Sequence, residues 1–240
     1  MARDKFSTLV KPTITGLYLD DGAFGNGEVL FDWAKIELPK GASRVLGANL
    51  IVAGNAGAAQ TVGINLLFSN KDNISVGVPH AASTGSPDSN HVLGALIVAN
   101  NDVVATIPTY TVTNQDGTTT GLAGQLVLTP HEDQIDVGHT YCYVSGFTTI
   151  GTMNFATGVT LAAPTSTSSK TLSVNANANK MFFPGDEVTA AGKDSVLGVV
   201  DSVAADGRTI QLKENAIEVI SSSTAIFNAN PVKIRLHCER

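Results

Sequence analysis

His131, His139 and Cys142 form the closest set of metal-type ligands in the chain. Zinc sites use Cys and His side chains at compact spacings, and this set matches none of those patterns and lacks a second ligand pair. On a β-strand, residues 139 and 142 point to opposite faces, so His139 cannot serve as the base for a Cys142 nucleophile. The spacing therefore predicts a packed cysteine and surface histidines, with no bound metal.

Two glycine-containing stretches superficially resemble phosphate-binding loops. Residues 185–194 have the sequence GDEVTAAGKD, but the glycines are too far apart for a P-loop, and Asp194 replaces the Ser or Thr that would hold magnesium. Residues 22–27, GAFGNG, have the wrong glycine order for a dinucleotide fingerprint and precede a predicted strand instead of a helix. We interpret residues 22–27 as a turn and reject residues 185–194 as a phosphate site, and the sequence predicts no cofactor.

Carboxylates are sparse and fall in turns. Asp20-Asp21-Gly22 and Glu132-Asp133 with Asp136 could bind calcium weakly, but neither has the ligand spacing of a dedicated calcium loop, so solvated turns are the preferred interpretation. A glycosidase pair could be distant in the chain, yet nothing recommends one. A Gly-x-Ser-x-Gly nucleophile elbow is also absent from the sequence. We therefore predict no catalytic, cofactor-binding or metal site, and a protein that is not an enzyme.

The composition indicates association with other proteins. Charged residues make up 15% of the 240 residues and hydrophobic ones 43%, whereas an average soluble domain has about 25% charged residues. A chain so poor in charge often covers part of its surface with partners, so we expect a homo-oligomer or a larger assembly. The formal charge of −6 and the absence of a basic run argue against direct nucleic-acid binding.

The sequence also predicts the cellular compartment of the protein. It has no apolar stretch of about 18 residues and no signal-peptide core, which predicts no membrane span and an origin in the cytoplasm. Cys142 and Cys238 are far apart in the sequence, and in that compartment we expect reduced thiols, although a pairing stays open.

Short apolar runs separated by turn residues predict an all-β protein. The predicted strands of the first part are residues 28–38, 44–53, 61–69, 92–99, 103–112, 125–128 and 139–147. Strands at this spacing favour an antiparallel sandwich or barrel. The best helix candidate is a short turn at residues 214–219. The segment from Ser69 to Asn90 has little apolar content and is either an interaction loop or a flexible insertion.

A polar stretch at residues 164–169 predicts a domain boundary. Beyond it, strands are predicted at residues 171–174, 186–190, 196–203 and 208–213, with Asp206-Gly207 as a hairpin turn. The last strand, residues 231–238, either rejoins the first sheet or ends the second module. We predict an antiparallel β-sandwich over residues 1–164, completed by residues 230–240, and a small β-barrel module over residues 165–229 that is inserted into it.

Several features resemble the virion structural proteins of tailed bacteriophages, especially marine contractile-tailed phages. They are the Gly-, Thr-, Asn- and Ala-rich strands, HTYCYVSG at residues 139–146, and PGDEVTAAGKDSVLGVVDSVAADGRTIQL at residues 184–212. The resemblance implies a capsid decoration, cement or tail-associated role in the virion, with partners such as the major capsid protein. The alternatives are a tail, neck or baseplate structural protein, or a carbohydrate-binding adhesin. An adhesin would gather aromatic side chains on one face, and one Trp, four Tyr and nine Phe are a thin supply.

Overall fold

The computed structural model describes residues 4–84, 90–98, 103–107, 110–115, 126–131, 135–136 and 139–240, and it is nearly all β. Within these ranges the helices are two single turns, α1 (Gly16–Leu19) and α2 (Ala178–Met181). The strands are β1 (Lys5–Val10), β2 (Val29–Pro39), β3 (Ser43–Ala53), β4 (Ile64–Ser69), β5 (Val92–Val98), β6 (Val103–Ile107), β7 (Tyr110–Gln115), β8 (Val127–Leu128), β9 (Ile135–Asp136), β10 (His139–Thr148), β11 (Thr171–Ser173), β12 (Glu187–Ala190), β13 (Val196–Val203), β14 (Thr209–Leu212), β15 (Ile226–Asn228) and β16 (Val232–Glu239). The all-β prediction is confirmed.

Two antiparallel sheets form a sandwich-like unit. The first has the strand order β1-β16-β3-β7-β6, with β8 also paired to β3, and the second has the order β2-β10-β4-β5, with β9 paired to β10. Side chains alternate across each strand, and one core cluster takes Leu50 and Ile234 from the first sheet and Leu66 and Val144 from the second. All four are completely buried. Burial of this apolar area is the main force that holds the two sheets together.

The C-terminal strand β16 lies inside the first sheet, between β1 and β3. Leu236 pairs with Thr8 on one side and with Ala48 on the other. The chain therefore leaves the sandwich before the third sheet and returns to it afterwards. Of the two alternatives for the last strand, pairing with the first sheet is the one observed.

The third sheet has the order β11-β14-β13-β12-β15. Residues 159–162 bridge its two edges: Leu161 N–H donates to the Thr224 carbonyl at 2.9 Å, and Ala162 N–H donates to the Ser173 carbonyl at 2.8 Å. These bonds close the strands into a small barrel around its own apolar core. The barrel thus begins at Val159, and the predicted boundary after residue 164 falls inside it. The polar stretch at residues 164–169 marks a surface turn of the barrel and not its start.

Two local predictions are wrong. Residues 214–219 form bends and no helical turn, because Ala216 N–H donates to the Ser169 carbonyl and Ile217 N–H to the Leu197 carbonyl. These two N–H groups therefore cannot form the i to i−4 hydrogen bonds of a helix. The single strand predicted over residues 103–112 is two strands, β6 and β7, which pair with each other. Pro108, which has no N–H to donate, lies between them in the sequence.

Candidate interaction surface

A groove of about 450 Å³ runs between β1 and β2. β1 is an edge strand of the first sheet, β2 is an edge strand of the second, and the two lie side by side. The groove is lined by residues 9–13 on one wall and residues 31–35 on the other. The sandwich thus presents one edge from each of its sheets to the same open space.

Neither edge has a further strand partner among the described residues. β1 pairs with β16 and β2 pairs with β10, each on one side. A strand edge of this kind exposes backbone N–H and C=O groups that can pair with another extended chain. The arrangement was not evident from the sequence, since residues 5–10 were not predicted as a strand.

The segment after β4 covers one end of the β2 edge. Val29 N–H donates to the Ala81 carbonyl at 2.8 Å, and Trp33 Nε1 donates to the Ile74 carbonyl at 2.8 Å. The Asp32 carboxylate accepts the Val76 N–H at 3.0 Å. Residues 70–84 therefore pack on their own sandwich, while residues 85–89 of the predicted interaction loop lie outside the described residues.

The groove is lined by apolar residues and by charged residues of both signs. Leu9 is 44% exposed, whereas Val10 beside it is buried. Lys11 and Lys35 stand at opposite walls, and Lys35 Nζ lies 3.3 Å from the centroid of the Tyr141 ring. Apolar contacts flanked by exposed backbone suit an extended peptide segment, for which strand addition is a known binding mode.

The outer face of the second sheet carries partly exposed apolar side chains on β10, β4 and β5, beside the charged Lys35 and Glu37 of β2. On β10, β4 and β5 the outward-facing side chains include two rows, Phe147–Asn65–Ile97 and Ser145–Leu67–Ala95. Ile97 is 41% exposed, and the buried oxygens Ser145 Oγ and Asn65 Oδ1 have no hydrogen-bond partner among the described residues. Solvated faces of antiparallel sheets are usually polar, so this face is suited to contact with another protein.

A buried polar cluster at the junction of sandwich and barrel was missed by the sequence analysis. The Asp186 carboxylate is completely buried and accepts hydrogen bonds from Lys11 Nζ at 3.2 Å, Lys233 Nζ at 2.7 Å and Asn228 Nδ2 at 2.8 Å. Gly185, at φ +85°, makes the turn that places this carboxylate. The two lysines belong to the sandwich, whereas Asp186 and Asn228 belong to the barrel. The cluster therefore links the two units.

The neighbouring Glu187 extends this link. Its Oε2 accepts from Thr13 Oγ1 at 2.6 Å and from Asn230 Nδ2 at 3.1 Å. Burial lowers the pKa of Lys233, although the Asp186 carboxylate acts in the opposite direction. A signal in the sequence was the Gly-Asp pair at residues 185–186, but its partners are far away in the chain.

Among the described side chains, the cysteines and histidines considered in the sequence analysis form no metal cluster. Cys142 and Cys238 are buried free thiols, and burial raises their pKa values to about 12 and about 11. The His131 ring lies 5.7 Å from the His91 ring, measured between centroids, and the side chain of His139 lies outside the described residues. Within the described ranges, no group of three His, Cys, Asp or Glu side chains could hold a metal ion.

Residues 185–194 contain β12 between two turns, residues 22–27 contain a turn, and both stretches contact other parts of the chain. Lys193 forms an ion pair with Glu218 at 2.9 Å, and Asp194 accepts a hydrogen bond from Thr15 Oγ1 at 3.0 Å. Gly22 and Gly27 have φ values of +94° and +80°, which is typical of turns. Asp20 and Asp21 are exposed at the end of α1, whereas Glu132 and Asp133 lie outside the described residues.

No family model, curated protein or solved structure matches the chain. In the part of the chain that the structure describes, neither helix has the length and apolar character needed to cross a membrane.

Proposed function

We propose that this chain is a structural, non-enzymatic component of a bacteriophage particle, which decorates or cements the capsid through protein–protein contacts. The observation that carries the proposal is the groove between β1 and β2, where two strand edges lie side by side with no further strand partner among the described residues. Extended segments of other proteins bind such edges by adding a strand. The partners in this proposal are the major capsid protein and further copies of the chain.

The low charge content and the apolar side chains on the outer face of β10, β4 and β5 support the same function. Each Å² of apolar surface removed from water contributes about 25 cal/mol. In a symmetric assembly the same contact recurs in every copy, so modest surfaces give a large total stabilisation. A chain with 15% charged residues is suited to such burial.

A carbohydrate-binding adhesin on the same particle is the second candidate, and Trp33 is the observation that favours it. Trp33 is one of the residues that line the groove, and aromatic rings are common in ligand sites. Its Nε1 group, however, is already bound to the Ile74 carbonyl. A tail, neck or baseplate protein would use the same contact chemistry at another position in the particle.

Light scattering on the purified protein and immunogold electron microscopy with antibodies against this chain would test the proposal. We expect a molar mass above that of one chain and gold label on the capsids of phage particles from the source that encodes it. Label on tails would indicate the tail-associated alternative, and binding on a glycan array would indicate the adhesin. A strictly monomeric protein that labels no particle would refute a virion role.

A further inference from the structure

The Asp186 carboxylate accepts hydrogen bonds from both the side-chain amine of Lys233 and the side-chain amide of Asn228. Lys233 Nζ lies 2.6 Å from Asp186 Oδ1 and 2.7 Å from Oδ2, and Asn228 Nδ2 donates to the same Oδ2 at 2.8 Å. Because one oxygen binds both nitrogens, they are at most 5.5 Å apart, the sum of the 2.7 Å and 2.8 Å bonds. An amine, an amide and a carboxylate therefore lie together at the junction of the barrel and the sandwich.

The site is largely closed to water. Asp186 is completely buried, Asn228 is 2% exposed, and the Lys233 side chain is 13% exposed. The centroid of the Phe183 ring lies 5.8 Å from Lys233 Nζ. Exclusion of water strengthens polar interactions within the site and limits hydrolysis of its groups.

The hydrogen bonds of Asn228 hold its amide in a polarised orientation. Its Oδ1 accepts the Asn230 N–H at 2.9 Å, so a donor already faces the oxygen on which negative charge would develop during attack on Cγ. Its Nδ2 donates to the Met181 carbonyl at 3.1 Å and to Asp186. This geometry activates the carbonyl carbon and places a proton carrier beside the leaving nitrogen.

The surroundings of Lys233 lower its pKa, so its amine gives up a proton more easily than that of an exposed lysine. Burial is the main cause that lowers its pKa, and the nearby Lys11 ammonium group acts in the same direction against the Asp186 carboxylate. A neutral amine attacks carbonyl carbon, whereas an ammonium group does not. Transfer of one proton from Lys233 to Asp186 would supply that amine.

We propose that Lys233 Nζ and Asn228 Cγ form an intramolecular isopeptide bond, with Asp186 as the proton carrier. Nζ attacks Cγ to form the new C–N bond, and the bond between Cγ and Nδ2 then breaks. Asp186 passes the amine proton to Nδ2, which leaves as ammonia and is released as ammonium with the remaining proton. The reaction joins an amine to an amide with loss of ammonia, so it needs no oxidant, reductant or co-reactant.

The bond would link the two ends of the short segment by which the chain leaves the barrel and re-enters the sandwich. Asn228 ends β15 of the barrel, and Lys233 lies on β16 of the first sheet. A covalent link there would keep the two units in register when the surrounding hydrogen bonds open. This inference does not depend on the proposed function.

Intact-mass spectrometry of the denatured full-length chain would test the bond. The sample is protein that first shows a cooperative unfolding transition. We expect a mass about 17 Da below that of the sequence, which corresponds to one ammonia. Lys233→Arg, Asn228→Ala and Asp186→Ala should each have the full mass of their sequences, whereas Lys213→Arg at an exposed position should keep the loss. The full sequence mass in the native chain would overturn the proposal.

Trypsin digestion identifies the bonded atoms. An acylated Lys233 is no longer a trypsin site, so residues 214–235 should appear as one peptide that carries the mass loss. A mass loss with normal cleavage after Lys233 would indicate ring closure of Asn228 on its own backbone and would overturn the proposal. A loss of about 18 Da would make Asp186 the acceptor, by release of water, and would equally overturn it.

Discussion

The Asp186 carboxylate and the Lys233 amine lie 2.6 Å apart across the junction of the barrel and the sandwich. Lys11 approaches the same carboxylate at 3.2 Å, and the Lys11 and Lys233 side chains are 29% and 13% exposed. Removal of one partner from a buried charge cluster leaves the other charges without compensation. The cluster therefore makes the attachment of the barrel sensitive to single substitutions.

Asp186→Ala should lower the free energy of unfolding by about 3–5 kcal/mol, because Lys11 loses its buried counter-charge and the side-chain nitrogen of Lys233 loses its hydrogen-bond acceptor. Chemical denaturation would measure this loss. Asp201→Ala is the matched control, since Asp201 is exposed on β13 of the same barrel and should change stability by less than about 0.5 kcal/mol. Equal effects of the two substitutions would argue against the structural role of the cluster.

Leu9→Lys should weaken association through the groove by about tenfold or more, which corresponds to 1.4 kcal/mol. The reason is that a partner strand would have to bury an additional charge. Light scattering at several protein concentrations would measure self-association, and co-sedimentation would measure binding to purified particles. Val127→Lys is the control, because Val127 is exposed on β8 to a similar extent, 42% against 44% for Leu9. Unchanged association of Leu9→Lys would exclude the groove as the contact.

The buried thiols should make stability fall at high pH. The pKa values of Cys142 and Cys238 are raised from 9.0 to about 12 and about 11, so above pH 9 the unfolded chain loses thiol protons that the folded chain keeps. The unfolded state is then favoured as pH rises, by about 1.4 kcal/mol per pH unit for each thiol until its folded pKa is reached. Below pH 9 the thiols should not change the free energy of unfolding with pH.

Denaturation of the native chain and of a Cys142→Ala, Cys238→Ala double variant between pH 8 and 10.5 would isolate this effect. Lysine and tyrosine titrations are common to both proteins, so the difference between their curves reports the thiols. The native chain should lose stability faster above pH 9. Parallel curves would show that the thiols ionise as easily in the folded state as in the unfolded one.

Gly16→Ala should disturb the contact between α1 and the barrel. A Cβ at this position would lie 1.8 Å from the Ala190 carbonyl oxygen, and Gly16 N–H also donates to Thr189 Oγ1 at 3.0 Å. Overpacking of this kind costs about 1–3 kcal/mol, measurable as a lower midpoint of thermal unfolding. Gly151→Ala should be tolerated, because its nearest neighbour would lie at 3.6 Å. A neutral Gly16→Ala would show that α1 can move away from the barrel.

Several strands were predictable because their signal is local. The alternation of apolar and polar residues between turn residues located β3, β5 and β13 within a residue or so of their ends. The same reasoning missed β1, whose sequence KFSTLV alternates only weakly. β1 is a strand because it pairs with β16, at the other end of the chain.

The candidate surface was less predictable than the strands. Lys11 and Asp186 are 175 residues apart in the sequence, and the sequence analysis placed Asp186 in a rejected phosphate loop and at the start of a predicted strand. Which strands lie at the edges of a sheet depends on how the strands pair. Pairing uses backbone N–H and C=O groups that nearly every residue carries, so the residue types do not reveal it. The groove between β1 and β2 therefore had no signature in either segment.

The sequence by itself determined that the chain is built of strands and is poor in charge, because strand formation follows from a two-residue alternation and from turn residues that act locally. Only the tertiary structure decided that the last strand lies between β1 and β3, that residues 159–162 close the barrel, and that one aspartate holds two lysines and an asparagine. These features arise where distant segments meet, and the free energy that selects them comes from burial and pairing of the folded chain as a whole.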